Sequence, residues 1–490
     1  MLGSCVMGFT RKKIGPMIAP TLSGKNPKAG DWSQGSADNH MDLKCFQALK
    51  RLDSVTFFRL SDTHRFAPER PAFQASERRS KLFRYSWRRA GKPVTESGPE
   101  ALAIRIIKTT TQEWSIMTKG TNKLSRLFAA LVIAGVASHS FAADTIKIGI
   151  AGPKTGPVAE YGTMQFNGAR MAIEQINAKG GVDGKQLEAV EYDDACDPKQ
   201  AVAVANKVVN DGVKFVVGHL CSSSTQPASD VYEDEGIIMV TPAATSPDIT
   251  SRGYKLVFRT IGLDSAQGPA AGNYIADVAK PKIVAVIHDK QQYGEGIASA
   301  VKQTLEAKGV KVALFEGINA GDKDFSSLIA KLKQANVDFV YYGGYHPELG
   351  QILRQSKEKG LKAKFMGPEG VGNESISQIA GEASEGMLVT LPKSFDQDPA
   401  NQALTKAFQD KKQDPSGPFV YPSYSAVQVI ADGIAAAKSE DTAKVAAAIH
   451  AGSFKTPMGD LSYDEKGDLK NFQFVVYEWH FGKPKTEAAK

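Results

Sequence analysis

Hydroxyl-bearing residues are concentrated in one short stretch, HLCSSSTQPASD, at residues 219–230. Three serines and a threonine, beginning at Ser222, follow directly on a cysteine, and the apolar run VKFVVG stands just before them. Such a cluster could be a linker, a helix cap, a nucleophile site or a cradle for a ligand. Free N–H groups and hydroxyls at the start of a helix suit an anion such as a carboxylate. A plain helix cap needs only one hydroxyl, so the stretch alone leaves both interpretations open.

Three other stretches place polar groups directly after apolar runs. The segment TPAATSPD offers the carbonyl of Ala243 and the hydroxyl of Thr245, which could accept hydrogen bonds from an ammonium group. YYGGYHPE places Tyr345, and MGPEG places Glu369, at similar positions further along the chain. The lone carboxylate of Glu369 could pair with an ammonium group or could be a solvated loop acid. Its spacing alone favours the second.

Enzyme motifs are weak in this chain. There is no G-x-S-x-G and no P-loop, and GPKTGPVAEYG lacks the Lys-Ser/Thr ending that a phosphate site needs. The adjacent carboxylates of Asp193 and Asp194 point to opposite faces of a predicted strand, which suits paired acid–base chemistry poorly. No i, i+4 metal spacing occurs among His219, His288, His346, His450 and His480. We therefore predict no catalytic residues, no metal and no cofactor.

The elements that must position these groups alternate regularly. Short apolar runs such as TIKIGIAG, VKFVVGHL and KIVAVIHD alternate with helical patterns, which predicts βαβ units and parallel sheets. One set covers residues 144–262 and a second covers 263–392. A mainly helical part follows, and GDLKNFQFVVYEWH is typical of a hairpin-like end. We predict an α/β fold with lobe 1 at residues 144–263 and 393–473, and lobe 2 at 264–392 and 474–490. Several crossings form the hinge.

The front of the chain has a different character. The formal net charge is +7, but the basic excess lies before residue 144, and acidic residues outnumber basic ones after it, so nothing favours nucleic-acid binding. Residues 117–143 have a basic n-region, an apolar h-region too short to span a bilayer, and a small-x-small pattern, which predicts a signal peptide. We therefore interpret residues 1–116 as a spurious or disordered extension, with translation beginning at Met117.

The chain has four cysteines, of which only Cys196 and Cys221 follow the predicted signal peptide. An even pair in an oxidising compartment predicts a disulfide. The loop that it closes would contribute about 3 kcal/mol of stability in the chain-entropy model. Each cysteine follows an apolar run, so we expect both at the carboxyl ends of neighbouring strands, where they would brace the loops around a crevice.

Long runs of the exported chain resemble the periplasmic Leu/Ile/Val-binding proteins, which are the solute receptors of branched-chain amino-acid ABC importers. The runs are YDDACDPKQAVAVANKVVNDG, GHLCSSSTQPASD, TPAATSPD, HDKQQYGEG, DFVYYGGYHPELGQILRQ, FMGPEGV and DEKGDLK. The resemblance covers residues 144 to about 485. It implies two doubly wound lobes of the type I periplasmic-binding-protein fold that close like a hinge on one amino acid.

Carried to matching positions, the resemblance implies a role for each candidate residue. Ser222 and Thr245 would hold the ligand carboxylate. The carbonyl of Ala243, the hydroxyl of Thr245 and the carboxylate of Glu369 would accept from its ammonium group, and Tyr345 would contribute from the second lobe. The aliphatic side chain would lie against a wall formed by Tyr161, Tyr293 and Phe419, close to the disulfide.

The resemblance also implies the biological setting. The chain would be a monomeric periplasmic receptor that passes L-leucine, L-isoleucine or L-valine to the membrane permease of an ABC importer. One alternative is a receptor for another aliphatic amino acid or amide. Another is a sensor domain that binds such a compound and signals to a membrane receptor. A secreted hydrolase with Ser222 as its nucleophile is an alternative from another class, but it needs a base within hydrogen-bond reach.

Overall fold

The computed structural model describes residues 145–489. The signal peptide predicted at 117–143 and the extension predicted at 1–116 lie outside the described residues. Within the described range, no helix combines the length and the apolar character needed to cross a membrane.

The first sheet is parallel and has the strand order β2-β1-β3-β4-β5. Its third and fourth strands are buried along their whole length, as expected for strands with helices on both faces. The order reverses beside β1, because the chain moves outward to β2 and then returns to add β3 on the other side. The strands are β1 Ile146–Gly152, β2 Leu187–Asp193, β3 Phe215–Gly218, β4 Ile238–Thr241 and β5 Val257–Arg259.

The second sheet has the order β14-β13-β10-β9-β8-β6-β7. Its five strands from β7 to β10 are parallel, and β13 and β14 add an antiparallel edge. The strand order reverses between β6 and β8. The strands are β6 Val284–His288, β7 Val312–Gly317, β8 Phe339–Gly343, β9 Lys364–Gly367, β10 Leu388–Pro392, β13 Phe474–His480 and β14 Lys483–Glu487. A separate two-stranded ribbon pairs β11 Ser453–Thr456 with β12 Gly459–Ser462.

Helices follow most of the parallel strands, as the βαβ pattern predicts. The first seven are α1 Ala159–Ala178, α2 Pro198–Asn210, α3 Ser222–Asp234, α4 Asp264–Tyr274, α5 Gln292–Ala307, α6 Ser326–Gln334 and α7 His346–Glu358. The later helices are α8 Ser375–Ala380, α9 Gln402–Asp410, α10 Val420–Ala437 and α11 Thr442–Ala451. A short 3₁₀ turn at Glu369–Val371 follows β9.

The helical part after β10 completes the core of the first lobe. Helix α10 packs along α1, and its apolar side chains join those of β1, β3 and β4 in one cluster. Thirteen of its 18 residues are buried, because it is apolar around most of its circumference. Burying one aliphatic side chain stabilises a fold by about 1.5–3 kcal/mol, so α10 is a large part of this core.

The hairpin at the chain end differs from the predicted one. It is formed by β13 and β14, so the predicted stretch GDLKNFQFVVYEWH supplies only one of its strands. Residues 467–473 form no strand, and Leu469 makes only an isolated antiparallel bridge with Tyr463. The mixed polarity of this segment left too few alternating apolar residues for a strand.

The chain crosses between the two sheets three times. It passes from β5 into α4 and β6, from β10 into α9, and from β12 into β13. The carboxyl ends of the parallel strands, where open α/β sheets bind ligands, carry the candidate residues.

Candidate functional site

The hydroxyl cluster begins a helix at the carboxyl end of β3. Helix α3 starts at Ser222, and the backbone N–H groups of Ser224 and Thr225 donate to the carbonyl of Cys221 at 3.0 and 2.8 Å. Ser222 is 1% exposed, and its Oγ accepts a hydrogen bond from the backbone N–H of Ser246 at 3.3 Å. This serine therefore joins the helix start to the loop after β4, rather than capping its own helix.

The loop after β4 carries Ala243 and Thr245 and is held from beneath. The Thr241 hydroxyl donates to the carbonyl of His219 at 2.7 Å and accepts from the backbone N–H of Ala244 at 3.0 Å. Ala243 and Thr245 are both buried. The Thr245 hydroxyl lies close to the carboxyl of Asp264 and lowers the pKa of that group.

A buried arginine fixes the same loop. The guanidinium of Arg259 donates to the carbonyl of Ala244 at 2.6 Å and to that of Ser246 at 3.2 Å. It also pairs with the carboxylate of Asp468 at 2.6 Å, which accepts from the hydroxyl of Thr250. Burial lowers the pKa of Arg259, and the charge of Asp468 opposes that shift. The sequence analysis missed this pair, because nothing in the spacing links positions 259 and 468.

Glu369 begins the 3₁₀ turn after β9 in the second lobe. It is 1% exposed, and within the described residues its Oε2 has no hydrogen-bond partner. The pKa of this carboxyl is raised to about 8, mainly by burial and also by the charge of Asp264, while the side chains of Gln267 and Tyr293 lower it in part. A solvated loop acid would show none of these features, so the interpretation favoured by spacing alone is wrong.

A second buried carboxyl, Asp264, lies next to these groups and was missed in the sequence. It is the first residue of α4, and its backbone N–H donates to the carbonyl of Thr245 at 2.9 Å. It is 2% exposed, and neither of its carboxyl oxygens has a partner among the described residues. Burial raises the pKa of Asp264 to about 7, against the opposing effects of Thr245 and Arg259. An acid at a helix start is common, so the burial of Asp264 could not be predicted from its position in the sequence.

Aromatic rings from both lobes meet at the cleft. The Tyr161 ring lies edge-on to Phe419 at 5.2 Å and to His346 at 5.4 Å, and the Tyr293 ring lies 5.2 Å from that of Tyr345. One buried cluster contains the four predicted residues among these rings, which are Tyr161, Phe419, Tyr293 and Tyr345. The same cluster contains Val158, Leu220, Cys221 and Ala243. The structure therefore brings together the wall residues that the resemblance implied and adds Val158 and Leu220 to them.

Hydrogen bonds cross between the lobes beside this cluster. The Tyr161 hydroxyl of the first lobe donates to the carbonyl of Glu369 in the second, at 3.1 Å. Within the second lobe, the backbone N–H of Gly370 donates to the Tyr293 hydroxyl at 3.1 Å. Two further contacts join the lobes: the Ser375 hydroxyl donates to Glu160, and the Gln292 amide donates to Gln226. The described conformation is therefore one in which the cleft is closed.

The predicted disulfide between Cys196 and Cys221 is present, with a Cα–Cα distance of 5.6 Å. The expectation that the two cysteines follow neighbouring strands is wrong, because β1 lies between β2 and β3. The doubly wound order places β1 between them. The bridge therefore spans the end of β1, where the sheet order reverses.

A buried hydrogen-bonded group reinforces the same loops. His219 Nδ1 lies 2.6 Å from the carboxylate of Asp194, and its Nε2 lies 3.0 Å from the hydroxyl of Tyr232. Asp194 also accepts from the backbone N–H of Cys196 at 2.9 Å, whereas Asp193 accepts from the backbone N–H of Lys154 at 2.9 Å. Asp193 also accepts from the backbone N–H of Ala195 at 3.0 Å, so it joins the loop after β1 to the loop that carries Cys196.

The arrangement argues against nucleophilic chemistry at Ser222. The histidine nearest in sequence, His219, has one ring nitrogen at Asp194 and the other at Tyr232. The Ser222 hydroxyl instead accepts from a backbone N–H. Among the described residues, no group of three or more His, Cys, Asp or Glu side chains could hold a metal ion. What the geometry provides is a buried region in which polar groups and aromatic rings lie close together.

Comparison with known proteins places this architecture in a family. The family model for periplasmic binding proteins matches residues 145–484, and the chain belongs to this family. The predicted fold of two doubly wound lobes is thereby confirmed.

Individual relatives cover nearly the whole described region. The leucine-, isoleucine-, valine-, threonine- and alanine-binding protein of Pseudomonas aeruginosa is 70% identical over 371 residues, which are 76% of this chain and 100% of the relative. The Leu/Ile/Val/Thr-binding protein of Salmonella typhimurium is 61% identical over 72% of this chain and 96% of its own length. A crystal structure of a leucine-binding protein from Thermotoga maritima superposes with a TM-score of 0.66 at 27% identity, covering 70% of this chain and 98% of that one. The resemblance to Leu/Ile/Val-binding proteins is confirmed.

Proposed function

We propose that this chain is a periplasmic receptor for branched-chain amino acids. It binds L-leucine, L-isoleucine or L-valine between its two lobes and delivers the ligand to the membrane permease of an ABC importer. Relatives at 61–70% identity carry names that describe such binding. The receptor has no catalytic step, acts as a monomer and reaches the periplasm through the signal peptide predicted at 117–143.

One observation carries this proposal. The closed cleft buries the carboxyl of Glu369 with an oxygen that has no partner among the described residues, next to aromatic rings from both lobes. A buried carboxylate without a cation costs several kcal/mol, so this position favours a ligand that brings its own positive charge. An α-amino acid with an apolar side chain brings both that charge and the surface to cover the rings.

Each end of the ligand has a proposed set of partners. The ammonium group would be bound by the Ala243 carbonyl, the Thr245 hydroxyl and Glu369. The carboxylate would be bound by Ser222 and Thr245 at the start of α3, with Tyr345 contributing from the second lobe. Charge-assisted hydrogen bonds of this kind are about twice as strong as neutral ones, so the zwitterion is held by its two charged ends.

The side chain of the ligand would lie against Tyr161, Tyr293 and Phe419. An apolar wall separates ligands that differ by one methylene by only about 1–3 kcal/mol. Selection among leucine, isoleucine and valine should therefore be modest. The wider ligand sets in the names of the Pseudomonas aeruginosa and Salmonella typhimurium relatives agree with a tolerant wall.

The lobe boundaries are part of the same proposal. Lobe 1 comprises residues 144–263 and 393–473, and lobe 2 comprises 264–392 and 474–490. The three crossings then act as the hinge, and closure brings the Glu369 turn to the hydroxyl groups of the first lobe. The interlobe hydrogen bond from Tyr161 to the Glu369 carbonyl supports this division.

A calorimetric titration tests the proposal. The chain is first freed of bound ligand by unfolding and refolding, and the panel is leucine, isoleucine, valine, alanine, phenylalanine and glutamate. One-to-one binding of leucine, isoleucine or valine without binding of glutamate is expected. Binding of none of the three by a folded sample would refute the receptor function and would favour the alternative, a receptor or sensor for another aliphatic amino acid or amide.

A further inference from the structure

The ammonium end of the cleft contains two carboxyl groups, although an amino acid brings only one positive charge. Glu369 is 1% exposed and Asp264 is 2% exposed. Within the described residues, both oxygens of Asp264 and the Oε2 of Glu369 have no hydrogen-bond partner. The charge of Asp264 reaches Glu369 strongly enough to raise the pKa of the glutamate. One ammonium group cannot neutralise both carboxylates.

The surrounding protein does not supply the missing charge. Arg259 is the cation that influences Asp264, but its guanidinium already forms an ion pair with Asp468 at 2.6 Å. Helix α5 faces the Asp264 carboxyl with Gly296, where an added Cβ would lie 3.7 Å from Oδ2. The other titratable or charged groups whose fields reach Asp264 are Asp248, Glu369, Tyr293, Tyr341 and Tyr345. None of these five brings a positive charge.

We propose that the ligand-bound, closed cleft also binds one proton, and that Asp264 carries it. This inference rests on the proposed function. Glu369 pairs with the ligand ammonium as a carboxylate. Asp264 stays neutral, next to the hydroxyl of Thr245, and the bound zwitterion then leaves no unpaired negative charge at this end of the cleft. Binding one amino acid thus takes one proton from solvent.

In this proposal, opening the cleft exposes the aspartate to water. An exposed aspartate has a pKa near the ordinary value, about 3.9. In the closed state burial raises the pKa of Asp264 to about 7. Between these two values the open form is ionised and the closed form is protonated, so closure takes up a proton. The contribution to affinity is complete at low pH, is lost as the pH rises through about 7, and is absent above it.

The test is calorimetric titration of leucine into the full chain, in buffers of small and large ionisation enthalpy, phosphate and Tris or imidazole, matched in pH. At pH 6 the apparent binding enthalpy should differ between buffers by the heat of about one buffer proton per ligand, and at pH 8 by almost none. The affinity should fall by close to tenfold between pH 5 and 6 and by less for each further pH unit as the pH approaches 7, because the slope equals the number of protons taken up. These measurements need no variant.

Asp264→Asn assigns the proton to a residue. The buffer dependence and the pH slope should both disappear, and at pH 8 the variant should bind leucine more tightly than the parent chain, because its amide is neutral at every pH. Asp277→Asn, an exposed acid that follows the same helix, is the matched control and should keep the parent's proton uptake.

Four results would overturn the inference. Leucine binding with equal enthalpies in all buffers at pH 6 would show that no proton is taken up, while leaving the receptor function intact. Proton uptake that persists in Asp264→Asn would place the proton elsewhere. A large loss of affinity in Asp264→Asn at pH 6 would show that the aspartate acts as a charged partner of the ammonium. A folded chain that binds no leucine at any pH would refute the receptor function and this inference together.

Discussion

The two halves of the candidate site differ in how their polar groups are satisfied. In the first lobe, the loop that carries Ala243 and Thr245 is fixed by Arg259 and by the Thr241 hydroxyl, and the start of α3 is fixed by a disulfide. In the second lobe, Glu369 lies on a single 3₁₀ turn with an unpartnered oxygen. The first half is built by its own lobe, whereas the second is complete only when another charge arrives.

The interactions of the two halves therefore affect different equilibria, folding in the first half and ligand binding in the second. Interactions inside the first lobe stabilise the folded chain whether or not a ligand is present. A buried carboxyl without a partner opposes closure of the ligand-free cleft, so it couples closure to ligand binding. Substitutions in the first half should therefore affect folding, and substitutions in the second half should affect binding.

The largest expected effect on folding follows replacement of Arg259 by methionine. Removing one partner of a buried ion pair leaves Asp468 uncompensated, and the free energy of unfolding should fall by about 3–5 kcal/mol. Chemical denaturation followed by circular dichroism measures the loss. The control is Arg170→Met, whose pair with Glu191 is partly exposed, and it should cost less than about 1 kcal/mol. Equal losses in the two variants would contradict the supporting role of Arg259.

The matching variant in the second lobe is Glu369→Gln. The amide keeps the shape but cannot pair with an ammonium group, so leucine affinity should fall by about 2–5 kcal/mol in calorimetric titration. The ligand-free chain should keep or gain stability, because a neutral amide is buried at lower cost than a carboxylate. Glu374→Gln, at an exposed position nearby, is the control. Near-parental affinity in Glu369→Gln would remove Glu369 from the site.

Removal of the disulfide tests whether the first half of the candidate site depends on this single cross-link. The bridge joins residues separated by 25 positions, so replacing both Cys196 and Cys221 by serine should lower stability by about 3 kcal/mol. Leucine affinity should fall much less, because the hydrogen bond between Asp194 and His219 holds the same two loops. A reductant should lower the melting temperature of the parent but not of the double variant. An affinity loss as large as the stability loss would mean that the bridge alone shapes the helix start.

The smallest effect is expected where the two halves meet. Tyr161→Phe removes the hydroxyl that donates to the Glu369 carbonyl across the cleft, and ligand affinity should fall by about 0.5–1.5 kcal/mol. Tyr192→Phe is the matched control, because its hydroxyl bonds to Asp211 within the first lobe. That variant should lose stability but not affinity. If Tyr192→Phe lost affinity and Tyr161→Phe did not, the Tyr161 contact would have no part in closure of the cleft.

Much of the fold could be predicted from local patterns. Short apolar runs that alternate with helical patterns predicted the parallel strands, because a strand buried on both faces must be apolar along its length. The hairpin of β13 and β14 was misplaced, because GDLKNF is polar and β14 is largely exposed, so neither carries a clear period. The disulfide was predicted from cysteine count, but its position across the end of β1 depends on strand order.

The candidate site also combines features that could be predicted from the sequence with features that could not. The polar groups that follow strands could be predicted from local patterns, because the carboxyl ends of parallel strands meet at one sheet edge. The burial of Glu369 and the position of Asp264 beside it depend on the tertiary fold. The same fold also brings Arg259 to Asp468, which is more than 200 positions away. Burial and long-range pairing depend on how the lobes close and the chain crosses between them, and no local spacing encodes that geometry.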